Sequence, residues 1–182
     1  GDRVRLHLKK TKTKTAVTGT KYTAVKGGSD TYDFVPSKSG DYSVSFNGKG
    51  GVLVYDEAWQ EIKEYYPEEA DGSRVVLSLE PGKTYHFAVA ALEKDMQWEI
   101  ESAKTKNGFV YTNLADNTVE ILKYTGTESN VTIPDKIDNK VVKTLGAESF
   151  TENETVVGVT IPAQVTNLQY GAFASCTNLK KV

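Results

Sequence analysis

The sequence has few of the residues that most often carry chemistry in proteins. Its 182 residues include one cysteine and two histidines, His7 and His86, which lie far apart in the chain. One cysteine cannot form an internal disulfide, so cysteine usage leaves the redox compartment open. The signature motifs of zinc sites, phosphate-binding loops and serine nucleophiles are also missing. We therefore expect no cofactor, no metal site and no enzyme activity.

Carboxylates are the one catalytic group that the sequence supplies in number. Glycosidic cleavage needs two positioned Asp or Glu residues, and the 24 acidic residues of the chain offer many accidental pairs. The enzyme alternative therefore predicts a cleft that holds two close carboxylates with shifted pKa values.

Long apolar runs are missing as well. No stretch of about 18 apolar residues exists, so we predict no membrane-spanning segment in this chain. No charged and then apolar leader precedes Gly1. A polar start after a single glycine is typical of a cleaved affinity tag, so we interpret the N-terminus as mature or engineered.

Charge is unevenly distributed along the chain. Residues 1–27 contain eight of the 22 basic residues but one of the 24 acidic residues, and the whole chain has a net charge of −2. A basic strip of this kind can bind a polyanion. The Lys-Thr alternation at residues 9–14 instead favours an exposed edge strand, on which lysines oppose aggregation. We therefore expect no nucleic-acid partner.

The feature that dominates the first half is a repeated strand pattern. Short runs with apolar residues at every second position are separated by turns rich in Gly, Pro, Asn and Asp. About nine such strands with closely spaced turns indicate an antiparallel β-sandwich. No segment before Lys104 has the pattern of an amphipathic helix. The predicted strands are residues 4–9, 16–25, 32–35, 42–46, 52–55, 61–65, 74–79, 85–91 and 97–102.

One part of this region carries a more specific pattern. A strand that ends near Phe34 is followed by Pro36, Gly40 and Tyr42, and a second such segment lies at residues 79–87. Over about residues 16–102 the chain is similar to bacterial pre-peptidase C-terminal domains. The resemblance implies a jelly-roll-like sandwich. Some members of that family bind calcium or matrix polymers through an acidic cluster, but this chain has no Asp-x-Asp-x-Asp run, so calcium binding is not predicted.

A change of pattern divides the chain. Residues 102–108 are polar and lack periodicity, which is typical of a linker between domains. We therefore predict a β-sandwich domain at residues 1–104 and a second domain at residues 105–182. The second domain opens with apolar runs on either side of Asp116-Asn117, which predicts a β-hairpin.

The second domain then repeats itself. Val131-Thr-Ile-Pro134 recurs 28 residues later at 159–162, and the segment 145–150 recurs 23 residues later at 168–173. Periods of about 20 to 29 residues are typical of leucine-rich solenoids. The five extra residues of the first coil lie within residues 135–144 and predict a small additional turn there.

Together with Asn153, Cys176 and Leu179, these repeats closely resemble the BspA-like leucine-rich repeat family of bacterial surface proteins, over about residues 107–182. The resemblance implies a capping hairpin at 109–124 and a short solenoid. It also implies an exported protein, at the cell surface or secreted, that acts in adhesion by contacting host or matrix proteins or another surface polymer. The alternative is a carbohydrate-binding or accessory module of a larger secreted enzyme.

The last repeat is incomplete. It begins at Cys176 and stops at Val182, before the Thr-Ile-Pro that should follow. Because a coil of a solenoid is buried only by its neighbours, we expect the natural protein to continue with further repeats. We expect Cys176 to be buried in the solenoid core, where a free cysteine behaves as a small apolar residue.

Aromatic residues provide the candidate ligand-binding site. Trp59 lies beside a predicted turn, and Tyr65 and Tyr66 precede an acidic stretch at residues 68–71. These three residues could form a contact surface for a protein or a polysaccharide. Core packing is the more common role of such side chains, and for Trp98, which follows the alternation of its strand, core packing is the prediction.

The domain boundary generates a first prediction. Residues 1–104 expressed alone should fold, because the predicted sandwich supplies its own apolar core. Circular dichroism should show a β-rich spectrum that is lost cooperatively on heating. A disordered spectrum would show that the boundary is misplaced.

Overall fold

The computed structural model describes residues 13–66 and 73–182, and the statements below concern these residues. This part of the chain is all-β, with short strands and no helix. The predicted fold class, mainly β, is therefore confirmed. The predicted strand at residues 4–9 lies outside the described residues. Within the described ranges, no helix is long and apolar enough to cross a membrane.

The strands follow one another at short intervals. In the first half they are β1 Lys14–Thr15, β2 Lys21–Ala24, β3 Ser29–Phe34, β4 Gly40–Asn47, β5 Gly50–Tyr55, β6 Glu61–Tyr65, β7 Ser73–Leu79, β8 Tyr85–Ala91 and β9 Met96–Ser102. In the second half they are β10 Lys104–Lys106, β11 Phe109–Asn113, β12 Val119–Tyr124, β13 Asn130–Thr132, β14 Lys136–Ile137, β15 Lys140–Leu145, β16 Gly158–Thr160 and β17 Asn167–Leu168.

Strands β1 to β9 form two sheets. One has five strands in the order β1-β3-β8-β5-β6, and the other has four in the order β2-β9-β4-β7. In the five-stranded sheet the neighbouring strands are antiparallel, except that β1 runs parallel to β3. Sheets of this kind, each with one apolar face, bury those faces against each other in a β-sandwich.

Aromatic rings fill the sandwich core. Trp98 on β9 packs against Tyr32 and Phe87 of the five-stranded sheet, with ring centroids 4.7 and 6.1 Å apart. Trp98 is 1% exposed, and Val52 and Val54 on β5 are fully buried. Each such side chain contributes about 1.5 to 3 kcal/mol when it leaves water. The prediction that Trp98 belongs to the core is confirmed.

The predicted linker at residues 102–108 is wrong in one respect. It contains strand β10, which pairs with β11 in a tight hairpin. The two turn residues, Asn107 and Gly108, have φ angles of 51° and 79°. Two consecutive positive φ angles give a turn whose twist matches that of the flanking strands, and Asn-Gly is the sequence that tolerates them best. The polar composition therefore marks a hairpin.

The second half is a short solenoid with a hairpin at its start. Strands β12, β15 and β17 are parallel neighbours in one sheet, and β13 and β16 are parallel in another. Parallel stacking of strands from successive repeats is the arrangement of a leucine-rich solenoid. The antiparallel pair β11 and β12 is the predicted hairpin, with Asn117 at φ 64° in its turn. The buried side chains of the solenoid include Ile121, Leu145, Phe150 and Val159.

The sequence repeats coincide with the strand ladders. Val131 lies beside Val159, and Leu145 lies beside Leu168. The five extra residues of the first coil lie within the hairpin of β14 and β15, whose turn has positive φ angles at Asp138 and Asn139. The predicted additional turn is therefore the two-residue turn of a β-hairpin.

The end of the solenoid is less buried than predicted. Cys176 is half-buried, and its Sγ donates a hydrogen bond to the carbonyl oxygen of Phe150 at 2.9 Å. Leu168 and Val182 are mostly exposed. The expectation of a buried Cys176 is therefore wrong, because the coil around it leaves the side chain partly open to solvent.

The chain divides into two compact units. The first consists of the described residues of Gly1–Ser39, Ser45–Ser73 and Leu79–Ile100, and the second of Gly40–Val44, Arg74–Ser78 and Glu101–Val182. The second unit therefore includes parts of β4 and β7 as well as the solenoid. The predicted domain boundary at residue 104 stays a prediction.

The second unit contains a buried ion pair. Glu120 on β12 is 1% exposed, and its Oε2 accepts a hydrogen bond from Nη1 of Arg74 at 2.7 Å. The other carboxylate oxygen accepts no hydrogen bond from the residues that the structure describes. Burial raises the pKa of the Glu120 carboxyl to about 6, although the charge of Arg74 and its hydrogen bond act in the opposite direction. Desolvation of the carboxylate therefore outweighs the attraction of the guanidinium.

A pH-dependent stability follows from this carboxyl group. Its pKa in the folded state lies above its ordinary value of 4.5, so the folded protein binds more protons than the unfolded protein between the two values. Stability should therefore fall as pH rises through this window, by about 2 kcal/mol in total. We expect Glu120→Gln to remove this loss, and Glu128→Gln, at an exposed position, to retain it. Denaturant unfolding of the wild type and the two variants between pH 4 and 8 measures this change in stability. Identical pH profiles for the wild type and Glu120→Gln would contradict the assignment of the change to Glu120.

Candidate binding surface on the five-stranded sheet

The outer face of the five-stranded sheet brings polar and aromatic side chains into one row. Side chains alternate between the two faces of a strand, and because Val54 points into the core, Tyr55 points outward. The strand register places Asp33 beside His86, His86 beside Tyr55, and Tyr55 beside Glu61. These four residues therefore cross strands β3, β8, β5 and β6 in a line.

The turn between β5 and β6 holds Trp59 in an uncommon conformation. Its φ angle is 59°, which is rare for a bulky side chain. The Asp56 carboxylate accepts hydrogen bonds from the backbone N–H groups of Ala58 and Gln60, at 2.9 and 2.8 Å. The Asp56 carbonyl oxygen also accepts from the Trp59 N–H at 2.9 Å. An aspartate that caps its own turn in this way fixes the backbone.

The fixed turn lays the Trp59 ring on His86. The two ring planes are 5° from parallel, and their centroids are 3.8 Å apart. The Nδ1 atom of His86 lies 2.6 Å from Oδ1 of Asp33 and donates to it, because a carboxylate only accepts. His86 is 8% exposed, whereas Trp59 is 51% exposed. One face of the indole is therefore covered by the imidazole, and the ring remains open to solvent.

Tyr66 extends this surface along the sheet. Its ring lies over Gly51, where a β-carbon would come within 2.8 Å of the Tyr66 Cε1 atom. The Tyr66 hydroxyl donates a hydrogen bond to the Glu64 carboxylate. This bond raises the pKa of Tyr66 to about 12, and burial and the charges of Glu64 and Glu61 add to the effect. Tyr66 is 47% exposed.

Carboxylates surround the aromatic rings. Glu61 and Glu64 lie opposite Tyr55 and Leu53, both on the outer face. Burial raises the pKa of Tyr55, and the charges of Glu61 and Glu64 raise it further. Lys63 pairs in register with the buried Val54 and therefore points to the other face.

We refer to this set of residues as the acidic aromatic surface. It contains three aromatic side chains and three carboxylates, and His86 supports it from below. Its members are Tyr55, Trp59, Tyr66, Asp33, Glu61 and Glu64.

The structure separates the three residues proposed from sequence. Trp59 and Tyr66 lie on the acidic aromatic surface. Tyr65 does not: it pairs with Val52 on the inner face, is half-buried, and stacks on Phe46 with ring centroids 5.8 Å apart. Core packing is therefore the role of Tyr65. A ligand-binding role for Trp59 and Tyr66 stays a prediction.

Sequence reasoning missed the residues that support Trp59. His86 and Asp33 lie on predicted strands 53 positions apart, and nothing in either strand pattern shows that they meet. Glu61 is brought opposite Tyr55 by an irregularity in the pairing of β5 and β6 next to Tyr55. A bulge of this kind shifts the register by one residue, so strict alternation would have placed a different residue there.

The second unit contains a pocket of about 610 Å³. Lys106 lines it and forms an ion pair with Asp138 at 2.6 Å. Its lining includes one carboxylate, Glu128, whereas the enzyme alternative predicts a close pair. Across residues 13–66 and 73–182, no group of three or more His, Cys, Asp or Glu residues is arranged to hold a metal ion. The other lining residues include Gly108, Phe109, Tyr124, Lys136 and Ile137.

Comparison with known proteins gives likenesses over parts of the chain. No protein-family model matches the chain, and a search of the curated proteins found no match. A leucine-rich cell surface protein from Faecalibacterium prausnitzii is 36% identical over 43% of this chain, with a TM-score of 0.41. A leucine-rich repeat protein from T. pallidum is 26% identical over 43% of this chain, also with a TM-score of 0.41. The chain spans 22% and 37% of the lengths of these two proteins.

A third similar solved structure is of a different kind. It is the pre-peptidase C-terminal domain of a collagenase from Bacillus anthracis, which is 13% identical. The match covers 50% of this chain and 95% of that domain, with a TM-score of 0.41. The solved structures similar to this chain thus include bacterial leucine-rich repeat proteins and a pre-peptidase C-terminal domain. Membership of the BspA-like family stays a prediction.

The turn that holds Trp59 can be tested directly. Asp56→Ala removes the oxygen that accepts two backbone hydrogen bonds, so we expect a loss of about 1 to 2 kcal/mol in the free energy of unfolding. We also expect Trp59 to become easier to quench with acrylamide, because its ring leaves His86. Asp56→Asn keeps an accepting oxygen and should retain most of the wild-type behaviour. Wild-type quenching in Asp56→Ala would show that the turn does not fix the ring.

Proposed function

We propose that this chain is a non-catalytic binding module of an exported bacterial cell-surface protein, and that it meets its partner through the acidic aromatic surface. The partner is a host or matrix protein or another surface polymer. The observation that carries this proposal is the exposed Trp59 ring, which is stacked on His86 and held by a turn with a positive φ angle. A backbone held in an uncommon conformation is a reason to infer function.

The exposed indole supports a binding role energetically. Trp and Tyr are the residues whose removal most often weakens a protein interface. Three of them lie together here, and Trp59 and Tyr66 are each about half exposed. Covering such rings with a partner removes apolar surface from water at about 25 cal/mol for each Å². A partner that covers Trp59 therefore gains more than one that covers an ordinary polar patch.

The geometry also keeps the cost of binding low. Binding requires that mobile side chains become ordered, at about 0.5 to 1.5 kcal/mol for each flexible side chain. The Trp59 ring is already ordered by His86, and the imidazole is in turn held by Asp33. The surface therefore presents its aromatic ring in a fixed orientation before a partner arrives.

The Asp33–His86 pair is assigned a supporting role. One face of the imidazole lies under Trp59, and one of its ring nitrogens is bonded to the carboxylate. The pair thus resembles part of a catalytic constellation in composition, but its position under the indole suits support of a ring better than proton transfer to a substrate.

The solenoid contributes to the proposal through its architecture. Stacked coils offer an extended surface, which is the surface that repeat proteins use for binding. The BspA-like repeat pattern from Val131 to Phe173 supports location at the surface of a bacterial cell. The proposal therefore assigns adhesion to the whole protein and partner contact to the sandwich surface.

A carbohydrate-binding or accessory role is the second candidate. The observation that favours it is the same flat, exposed indole ring, since the apolar face of a sugar ring packs well on such a surface. Carboxylates beside the ring could accept hydrogen bonds from sugar hydroxyls. The two candidates share the surface and differ in the ligand.

Substitution of Trp59 tests the proposed surface. We expect Trp59→Ala to weaken binding to its partner by about 2 kcal/mol or more, which is about thirtyfold. Tyr170→Ala is the matched control, because Tyr170 is an aromatic residue of the second unit that is 90% exposed. The wild type, Trp59→Ala and Tyr170→Ala are each tested for binding to a panel of matrix proteins and to a glycan array. Binding that is equal in all three would exclude the surface, and a glycan hit without protein binding would favour the second candidate.

A further inference from the structure

We infer that the acidic aromatic surface binds a basic segment of a polypeptide, one rich in arginine or lysine. The inference rests on the proposed function and names the chemistry of the partner. It is carried by the juxtaposition of three aromatic rings with three carboxylates on one sheet face.

The described Asp, Glu, Lys and Arg side chains placed on this face carry charge of one sign. Asp33, Glu61 and Glu64 all lie on it, whereas Lys63 of the same strand as the two glutamates points to the other face. No ion pair joins Glu61 or Glu64 to a lysine or arginine within residues 13–66 and 73–182. Among the described residues, the two glutamates therefore keep their charge available for a partner.

The cations near the turn are already engaged. Lys83, whose charge interacts with Glu57 of the turn, forms an ion pair with Glu80 at 2.9 Å. Lys14 at the opposite edge of the sheet is paired with Asp30 at 2.7 Å. Both of these lysines are therefore occupied by carboxylates outside the acidic aromatic surface. Neither of them competes with a cationic ligand for the carboxylates near Trp59.

The two tyrosines lie beside the same negative charges. The hydrogen bond to Glu64 and burial raise the pKa of Tyr66 to about 12, and burial raises the pKa of Tyr55; the charges of Glu61 and Glu64 add to both effects. A phenol resists ionisation when neighbouring groups are negative. The same field attracts a cation to the space above the rings.

The aromatic rings add a second attraction for the same ligand. A cation over the face of Trp, Tyr or Phe is attracted by the electrons of the ring, and Trp is the best of the three. An arginine guanidinium is planar, so it can lie flat on the open face of the indole while its N–H groups reach carboxylates. The open face of Trp59 beside Tyr55 and Glu61 offers both contacts to one side chain.

A neutral sugar uses this surface less completely. It can pack on Trp59 and donate hydroxyl hydrogen bonds, but it gains nothing from the negative charge of the carboxylates. A basic segment gains from the rings and from the charge, and the charge contribution weakens as salt screens it. Charge complementarity therefore favours the basic polypeptide, and a neutral oligosaccharide becomes an outcome of the test.

The experiment measures binding of four probes to the full chain. The probes are an oligoarginine peptide, an oligolysine peptide, an oligoglutamate peptide and cellohexaose, titrated by calorimetry at low salt and again at high salt. The variants are Glu61→Gln/Glu64→Gln and, as the matched control, Glu128→Gln/Glu154→Gln, which removes the same charge from exposed positions of the second unit. Gln retains an oxygen that can accept the Tyr66 hydrogen bond, and thermal unfolding of each variant verifies that it is folded.

We expect oligoarginine to bind best, oligolysine to bind more weakly, and oligoglutamate not to bind. The Glu61/Glu64 variant should bind oligoarginine roughly tenfold more weakly at low salt, the control variant should bind it as the wild type does, and high salt should reduce the difference. Equal losses in the two variants would show attraction to overall charge and overturn the inference. So would failure of oligoarginine to bind.

The outcomes separate this inference from the proposed function. Binding of cellohexaose that depends on Trp59, without binding of oligoarginine, would overturn the basic partner and leave the surface in place. If Trp59→Ala changes the binding of no matrix protein, glycan or peptide, the proposed surface falls, and the inference falls with it. Binding of oligoarginine that needs Trp59 and both glutamates supports the two together.

Discussion

The register of the five-stranded sheet is the constraint on which the candidate surface depends. Because side chains alternate between faces, a slip of one residue between two strands would exchange core and surface positions. Val52 and Val54 are fully buried on β5, and their burial fixes which residues of that strand point outward. The pairing of β5 with β8 then sets His86 beside Tyr55. The hydrophobic core thus determines the arrangement of residues that never enter it.

Much of the fold could be predicted because it depends on local patterns. The strands at 61–65 and 85–91 have the predicted bounds, and Trp98 is in the core. The segment at 102–108 could not be predicted in the same way, since its hairpin depends on two consecutive positive φ angles at Asn107 and Gly108. Composition alone does not distinguish such a turn from a linker, because both favour the same residues.

The candidate site was less predictable than the fold for a different reason. An exposed aromatic residue beside a turn could be recognised at Trp59, but its contact with His86 joins strands that are distant in sequence. Tyr65 and Tyr66 are adjacent and similar, and only the strand pairing shows that one faces the core and the other faces solvent. Long-range pairing therefore limits what a single sequence reveals about a surface.

The contact between Gly51 and Tyr66 has a consequence for how this surface could change. A β-carbon at position 51 would lie 2.8 Å from the Tyr66 ring, so any larger residue would lift the ring away from the sheet. The strand itself would remain paired, because the obstacle is the end of a flexible side chain. One methyl group at residue 51, near the start of β5, would therefore narrow the aromatic area without disturbing the sandwich. The extent of the exposed aromatic surface thus depends on the absence of a side chain at a single position beneath it.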